Sequence, residues 1–258
     1  MKNKILTTIG AATLLATGSA SAVIVGGVDF GAAGALNHFE TTTLAETFIN
    51  GDGQQLLGYG QVNTVNGALG NYAGGDLLYF TFDYTSTNFT GTSVDFINGN
   101  VDLYLGSLGN LLNQSSAQNM LDIAALTPWA SFSGHDIDGL GNEISANGTL
   151  TGATLSFTGA GLLDVTGGLA DVVSFLDANS ILAGDGLFAD VALTTSGNNL
   201  VLNTNDDLTG CFNGSASAGQ WCIAGSADLR GETVIPEPAS LALLGLGLLG
   251  MGRLRRKA

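Results

Sequence analysis

The stretch DLLYFTFDY admits few backbone conformations. Leu78, Phe80, Phe82 and Tyr84 alternate with Tyr79, Thr81 and Asp83, which is the period-two pattern of a strand with one buried face. In SVDFINGNVDLYL the pair Asn98-Gly99 is the sequence of a type I′ hairpin turn. That register sets Phe96 opposite Val101 and Val94 opposite Leu103 on one face, and Asp95 opposite Asp102 on a shared face. Like charges directly opposed destabilise a strand pair; a bound cation would relieve the contact, as would water and side-chain splay. More short strands are expected around 57–65, 149–157, 187–193 and 200–203, with Gly, Asn and Asp marking the turns. One short helix is expected near 116–126, where Ala117, Met120, Leu121 and Ala124 share a face. Many short strands separated by turns imply an all-β body, a single-domain β-sandwich of jelly-roll-like form.

Charge is distributed unusually. Between Val23 and Pro238 there are 22 carboxylates against one base, Arg230, a formal charge of −21. The remaining basic residues sit at the two ends of the sequence. A body of this charge repels phosphates and offers no counterion release, which excludes nucleic acid as a partner.

The N-terminal segment MKNKILTTIGAATLLATGSASA carries Lys2 and Lys4, an apolar stretch over 5–16, and the small-x-small pattern Ala20-Ser21-Ala22. Charge, apolar run and small residues in that order are those of a secretory signal helix cleaved before Val23. Three regions follow: 1–22 as signal peptide, 23–234 as β-rich extracytoplasmic domain, and 235–258 as a sorting and anchor segment.

That last segment reads VIPEPASLALLGLGLLGMGRLRRKA from Val234. Its apolar positions include Ala239, Leu241, Leu243, Leu244, Leu246, Leu248 and Leu249. A helix over 239–252 would be roughly 21 Å long at 1.5 Å per residue, against a bilayer core of about 30 Å. It is therefore a marginal membrane anchor. Arg253, Arg255, Arg256 and Lys257 would hold its end on the cytoplasmic side of the inner membrane. Pro236 and Pro238, flanking Glu237, forbid helix continuation before it.

Tripeptide, short apolar span and basic end together resemble the PEP-CTERM sorting signal of Gram-negative bacteria. The resemblance implies recognition of Pro236, Glu237 and Pro238 by an exosortase, a membrane transpeptidase, and removal of the tail after transient anchoring. A permanent C-terminal anchor is the alternative. GQQLLGYGQVNTVNG, FINGNVDLYLG, TPWASFSGH and LLDVTGGLADVVSFLDANS resemble segments common in the bodies of PEP-CTERM proteins, for which no activity is established.

Cys211 and Cys222, the two cysteines of the chain, are expected to form a disulfide, as an even pair does in an exported protein. Closing so short a loop contributes roughly 3 kcal/mol if unstrained. No cofactor is implied, although two acidic turns merit weighing as Ca2+ sites. In DIDGLGNE, Asp136, Asp138, Asn142 and Glu143 supply alternating oxygens around a glycine turn, departing from the EF-hand spacing. In NTNDDLTG, Asn203, Asn205 and Asp207 alternate correctly but Leu208 stands where glycine is needed. The alternative for both is a solvated turn.

Catalytic signatures are sparse. Ser133, His135 and Asp136 are close in sequence, but adjacent residues on a strand point to opposite faces. No GxSxG, HExxH or P-loop occurs. Four Asn-x-Ser/Thr triplets begin at Asn88, Asn113, Asn147 and Asn213. The leading expectation is a non-enzymatic surface or extracellular-matrix protein associated with exopolysaccharide, biofilm or floc. A carbohydrate-binding module stacking sugars on Trp129 and Trp221 is the alternative, and a secreted hydrolase using paired carboxylates ranks below it.

Overall fold

The computed structural model describes residues 22–32, 37–69 and 75–234. The signal segment up to Ser21, with Ala20, lies outside the described residues, as does the tail from 235 onward with its PEP tripeptide, apolar run and cations. The two flanking helices expected there therefore lie outside the described residues; Ala22 opens the first strand. Among the described residues, no helix is long and apolar enough to cross a membrane.

The strands in chain order are β1 (Ala22–Val25), β2 (Val28–Ala32), β3 (Asn37–Thr47), β4 (Gln55–Val65), β5 (Ala68–Leu69), β6 (Leu77–Thr87), β7 (Ser93–Gly106), β8 (Thr127–His135), β9 (Ile144–Thr149), β10 (Ser156–Gly168), β11 (Ile181–Leu182), β12 (Phe188–Ala189), β13 (Val191–Asn198) and β14 (Trp221–Gly231). Helices α1 (Ser116–Ala124) and α2 (Ala170–Leu176) interrupt them.

The all-β expectation holds, but the sandwich does not. Strands β3, β4, β6, β7, β8, β10, β13 and β14 pair antiparallel in chain order. β14 then returns to β3, pairing Leu229 with Phe39, while β10 pairs with β13 along 156–163. Those pairings close the sheet into an eight-stranded up-and-down barrel, which removes the sheet edges a sandwich would leave. β9 takes the place of β8 between β7 and β10 at one end.

Inward positions are mostly apolar. Leu78, Phe80 and Tyr84 of β6 join the buried core with Val94, Phe96, Val101 and Leu103 of β7. Thr81 and Asp83 of β6 and Asp95 and Asp102 of β7 alternate with them on the outside, beside the rings of Tyr79 and Tyr104.

Asn98-Gly99 does not turn the chain. β7 runs through it as one strand of 14 residues. Asp83 pairs Asn100 and Thr85 pairs Ile97, so Asn98 and Gly99 together oppose Tyr84, a β-bulge. Asn98 takes a left-handed φ of 53° there. A Cβ on Gly99 would sit 1.8 Å from the Tyr84 ring, so only glycine lets that ring lie flat on the strand. The bulge shifts the alternation by one residue, which returns Val101 and Leu103 to the face of Val94 and Phe96. Asp95 pairs with Thr87 and Ser145, and Asp102 with Thr81 and Ser131, so the opposed carboxylates of the hairpin register do not meet.

One barrel end is plugged. β1 and β2 form a hairpin around Gly26-Gly27, both at positive φ. Val28 and Phe30 of this hairpin pack with Trp129, Val172 and Phe175. At the opposite end, Phe48, Leu155 and Ile223 pack against Cys211 and Cys222, which are joined by the expected disulfide.

On the outside, α1 covers Tyr59 and Tyr79. It buries Ser116, Asn119 and Ile123, not the Ala117–Leu121 face, and leaves Leu121 exposed. Polar bonds decide this: Asn119 donates from Nδ2 to the Tyr59 hydroxyl at 2.8 Å and to the Leu111 carbonyl at 2.6 Å. Residues 149–157 hold a turn between β9 and β10 rather than a strand, and 200–203 are loop.

Candidate functional site

Thr41 and Thr43 of β3 line the barrel interior. The pairing of β3 with β4 then slips between Thr43 and Ala45. Ala45 faces outward against the α1 cluster, and the slip brings Glu46 back inside. Strict alternation would have put Glu46 on the wet face with Glu40 and Thr42. Glu46 retains 3% of its exposure and lies on a cavity of about 80 Å3. The remaining wall is almost wholly apolar, with Leu56, Phe82, Phe96, Phe157 and Ile223 prominent.

Burial alone drives the Glu46 carboxyl up to about 8, with no hydrogen bond or neighbouring cation offsetting it. At neutral pH it is a carboxylic acid and a hydrogen-bond donor. Tyr84 lies on the same cavity. It is 3% exposed, and its hydroxyl is buried without a hydrogen-bond partner. Burial first, then the Glu143 and Asp83 carboxylates, raise its phenol and keep it neutral. A buried polar group without a partner costs about 1–3 kcal/mol. The barrel interior therefore holds a neutral acid, Glu46, facing the cavity and one buried hydroxyl without a partner, that of Tyr84. Neither was found by sequence reasoning.

The acidic turns are held by their own loops. Asp136 accepts from the backbone amides of Asp138, Gly139 and Gly141 at 2.8–3.0 Å. Asp138 accepts from Leu140 N and from Asn142 Nδ2. Glu143 points elsewhere, accepting from the bulge amides of Asn98 at 3.1 Å and Gly99 at 2.6 Å. The structure does not bring the carboxylates of Asp136, Asp138 and Glu143 to one point. In the second turn, Asn203 is fully buried and donates to the Gln114 carbonyl and the Tyr59 hydroxyl. Its neighbour Asp206 accepts from the first amide of α1 at 2.9 Å, so this segment caps a helix.

Among the described residues, one group of His, Cys, Asp or Glu side chains, His38, Glu40 and Asp228, offers ligand atoms close enough to share an ion. Arg230 already reaches Asp228 at 3.3 Å.

Trp129 offers no face for sugar stacking. It is fully buried, because the closed barrel turns its face of β8 into the core. Trp221 is partly buried with its ring edge-on to Tyr59 at 5.9 Å.

Ser133, His135 and Asp136 do not assemble. His135 pairs across to β10 instead: Nδ1 donates to Asp164 at 2.7 Å, and Nε2 faces Asp185 at 3.5 Å. Both ring nitrogens are directed at carboxylates, leaving none to activate a hydroxyl. Burial opposes the imidazolium, but the hydrogen bond and charge of Asp164 and the carboxylate of Asp185 outweigh it and raise the pKa above 6.5. A histidine raised in the folded state contributes stability that is complete below its unfolded value and is lost as pH rises through the folded one. The Asp164→Asn variant is expected to lower the His135 titration midpoint, followed by imidazole NMR. An unchanged midpoint would mean that Asp164 does not stabilise the cation.

Residues 234–257 match the family model of the PEP-CTERM protein-sorting motif. The motif supports export by the exosortase route, with an exosortase as sorting partner and the cell surface as destination. No curated protein and no solved structure matches the chain.

Proposed function

We propose that the chain is a non-enzymatic protein of the outer surface or extracellular matrix, associated with exopolysaccharide after an exosortase has removed its tail. The observation that carries this reading is the sorting motif over 234–257. The motif would hold the chain in the inner membrane only transiently, through the apolar run from Ala239 and the cations from Arg253. The body suits that destination. Its wet outer face and its excess of 22 carboxylates over one base between Val23 and Pro238 favour solubility and loose attraction of divalent cations, which an anionic matrix also holds.

Mass spectrometry of the protein recovered from cells and medium tests the route. The expected form starts near Val23, ends near Pro238 and is found outside the cell. Retention of Arg253 to Ala258 in the membrane fraction would instead make the tail a lasting anchor and overturn the matrix reading. Deletion of the gene is expected to reduce cell aggregation and polysaccharide retention. If both are unchanged, the proposed role fails even where the tail is removed.

A further inference from the structure

The barrel interior holds what a structural core avoids. Two side chains with hydrogen-bonding ends, Glu46 and Tyr84, are both 3% exposed and both face one cavity. The Tyr84 hydroxyl has no partner, and nothing but burial acts on the Glu46 carboxyl. Buried polar groups are ordinarily paired, and an unpaired one calls for an explanation. Filling the barrel with apolar side chains alone was available to this chain. At the plugged end it does so with Phe30, Trp129 and Phe175.

We propose that the cavity beside Glu46 is a binding site for one small, uncharged, mostly apolar molecule carrying a single hydrogen-bond acceptor, which takes the Glu46 donor. An eight-stranded barrel is wide enough either to fill with side chains or to hold one small ligand. The cavity, about 80 Å3, limits the guest to a few carbon atoms. Its apolar wall supplies the contact area, and the Glu46 donor fixes which end enters.

Charge complementarity excludes the ionic alternatives. An anionic guest would need a cation, and the one Lys or Arg of the described residues, Arg230, has its side chain 63% exposed and paired with Asp228 on the outer face. A cationic guest would require Glu46 to ionise in a site that offers it no hydrogen bond, so two desolvated charges would rest on one contact. A neutral acceptor meets the Glu46 donor without burying a charge.

The test uses 1-butanol as probe, titrated into the purified 23–238 form recovered from the medium or, if the tail stays attached, into the detergent-solubilised full chain. Methyl NMR shifts provide the readout. The cavity methyls of Val94, Val101 and Leu103 are expected to shift saturably, while Val172 and Leu176 at the plugged end stay still. Glu46→Leu, which removes the donor while leaving an apolar side chain, is expected to weaken binding about tenfold, as loss of one buried hydrogen bond does. Glu46→Gln keeps an N–H donor and is expected to bind nearly as wild type. Absence of saturation would overturn the proposal, as would wild-type affinity in Glu46→Leu, or tighter binding of butylammonium than of 1-butanol. Circular dichroism of each variant separates lost binding from lost fold. None of these outcomes depends on whether the chain associates with polysaccharide.

Discussion

Replacing Glu46 with glutamine is expected to stabilise the protein, by about 3 kcal/mol at pH 7 and more at pH 8. The folded carboxyl titrates at about 8 against an ordinary 4.5, through burial alone. Its folded pKa is raised, so the folded state holds the proton more tightly than the unfolded one. Wild-type stability is then complete below pH 4.5 and declines as pH rises from 4.5 to 8, because unfolding releases the proton into solvent. Glutamine has nearly the same shape, keeps a donor and does not titrate. The advantage of Glu46→Gln should therefore be near zero at pH 4 and grow steadily across that window. Urea denaturation of both proteins at pH 4, 5.5, 7 and 8 measures it. A constant difference at all four values would mean that Glu46 is not a buried neutral acid. Natural chains keep such a residue against their stability where it serves a function, and the proposed binding site supplies one.

Why the sequence hid this residue is instructive beside what it displayed. Alternation in DLLYFTFDY identified the inward face of β6 correctly, because period two depends only on the pleat. It did not identify what that face meets, since a sandwich and a barrel demand the same alternation. Closure rests on β10 with β13 and β14 with β3, and the second of these joins residues such as Leu229 and Phe39 from opposite ends of the body. No local pattern encodes such a pairing. Asn98-Gly99 was misleading for a related reason. Left-handed asparagine followed by glycine serves a hairpin turn and a bulge alike, and here the ring of Tyr84 needs the bare glycine. The same one-residue slips that bend a barrel also move side chains between its faces, and that is how Glu46 passes from an apparent surface position to the interior. The carboxylates of DIDGLGNE were visible in the sequence, but their use was not. An oxygen-rich turn looks alike whether it faces an ion or its own backbone amides. Cys211 and Cys222 were legible because only one pairing of two cysteines exists.

Trp129→Ala is expected to cost about 3–5 kcal/mol, as deletion of a large buried ring does, and to loosen one end of the barrel in particular. The indole is fully buried, stacks on Phe30 at 6.3 Å and meets Phe39 edge-on at 5.9 Å. Its Nε1–H donates to the Gly26 carbonyl at 3.0 Å, tying the β1–β2 hairpin to β8. The Gly26 amide is held in turn by Asp171 of α2 at 2.9 Å. Removing the ring opens a void beneath the hairpin and strands that carbonyl, so hydrogen exchange should accelerate over 22–32 and 170–176 before it does in β6 or β7. Trp129→Phe keeps most of the packing and loses the hydrogen bond, for which about 1 kcal/mol is expected. The two roles weighed for this tryptophan diverge here. A sugar-stacking residue would lose polysaccharide retention on substitution with the urea midpoint unchanged, whereas the plug anchor loses stability first and retention only to the extent that the barrel unfolds. A Trp129→Ala protein within 1 kcal/mol of wild type would show that the hairpin closes the barrel without it.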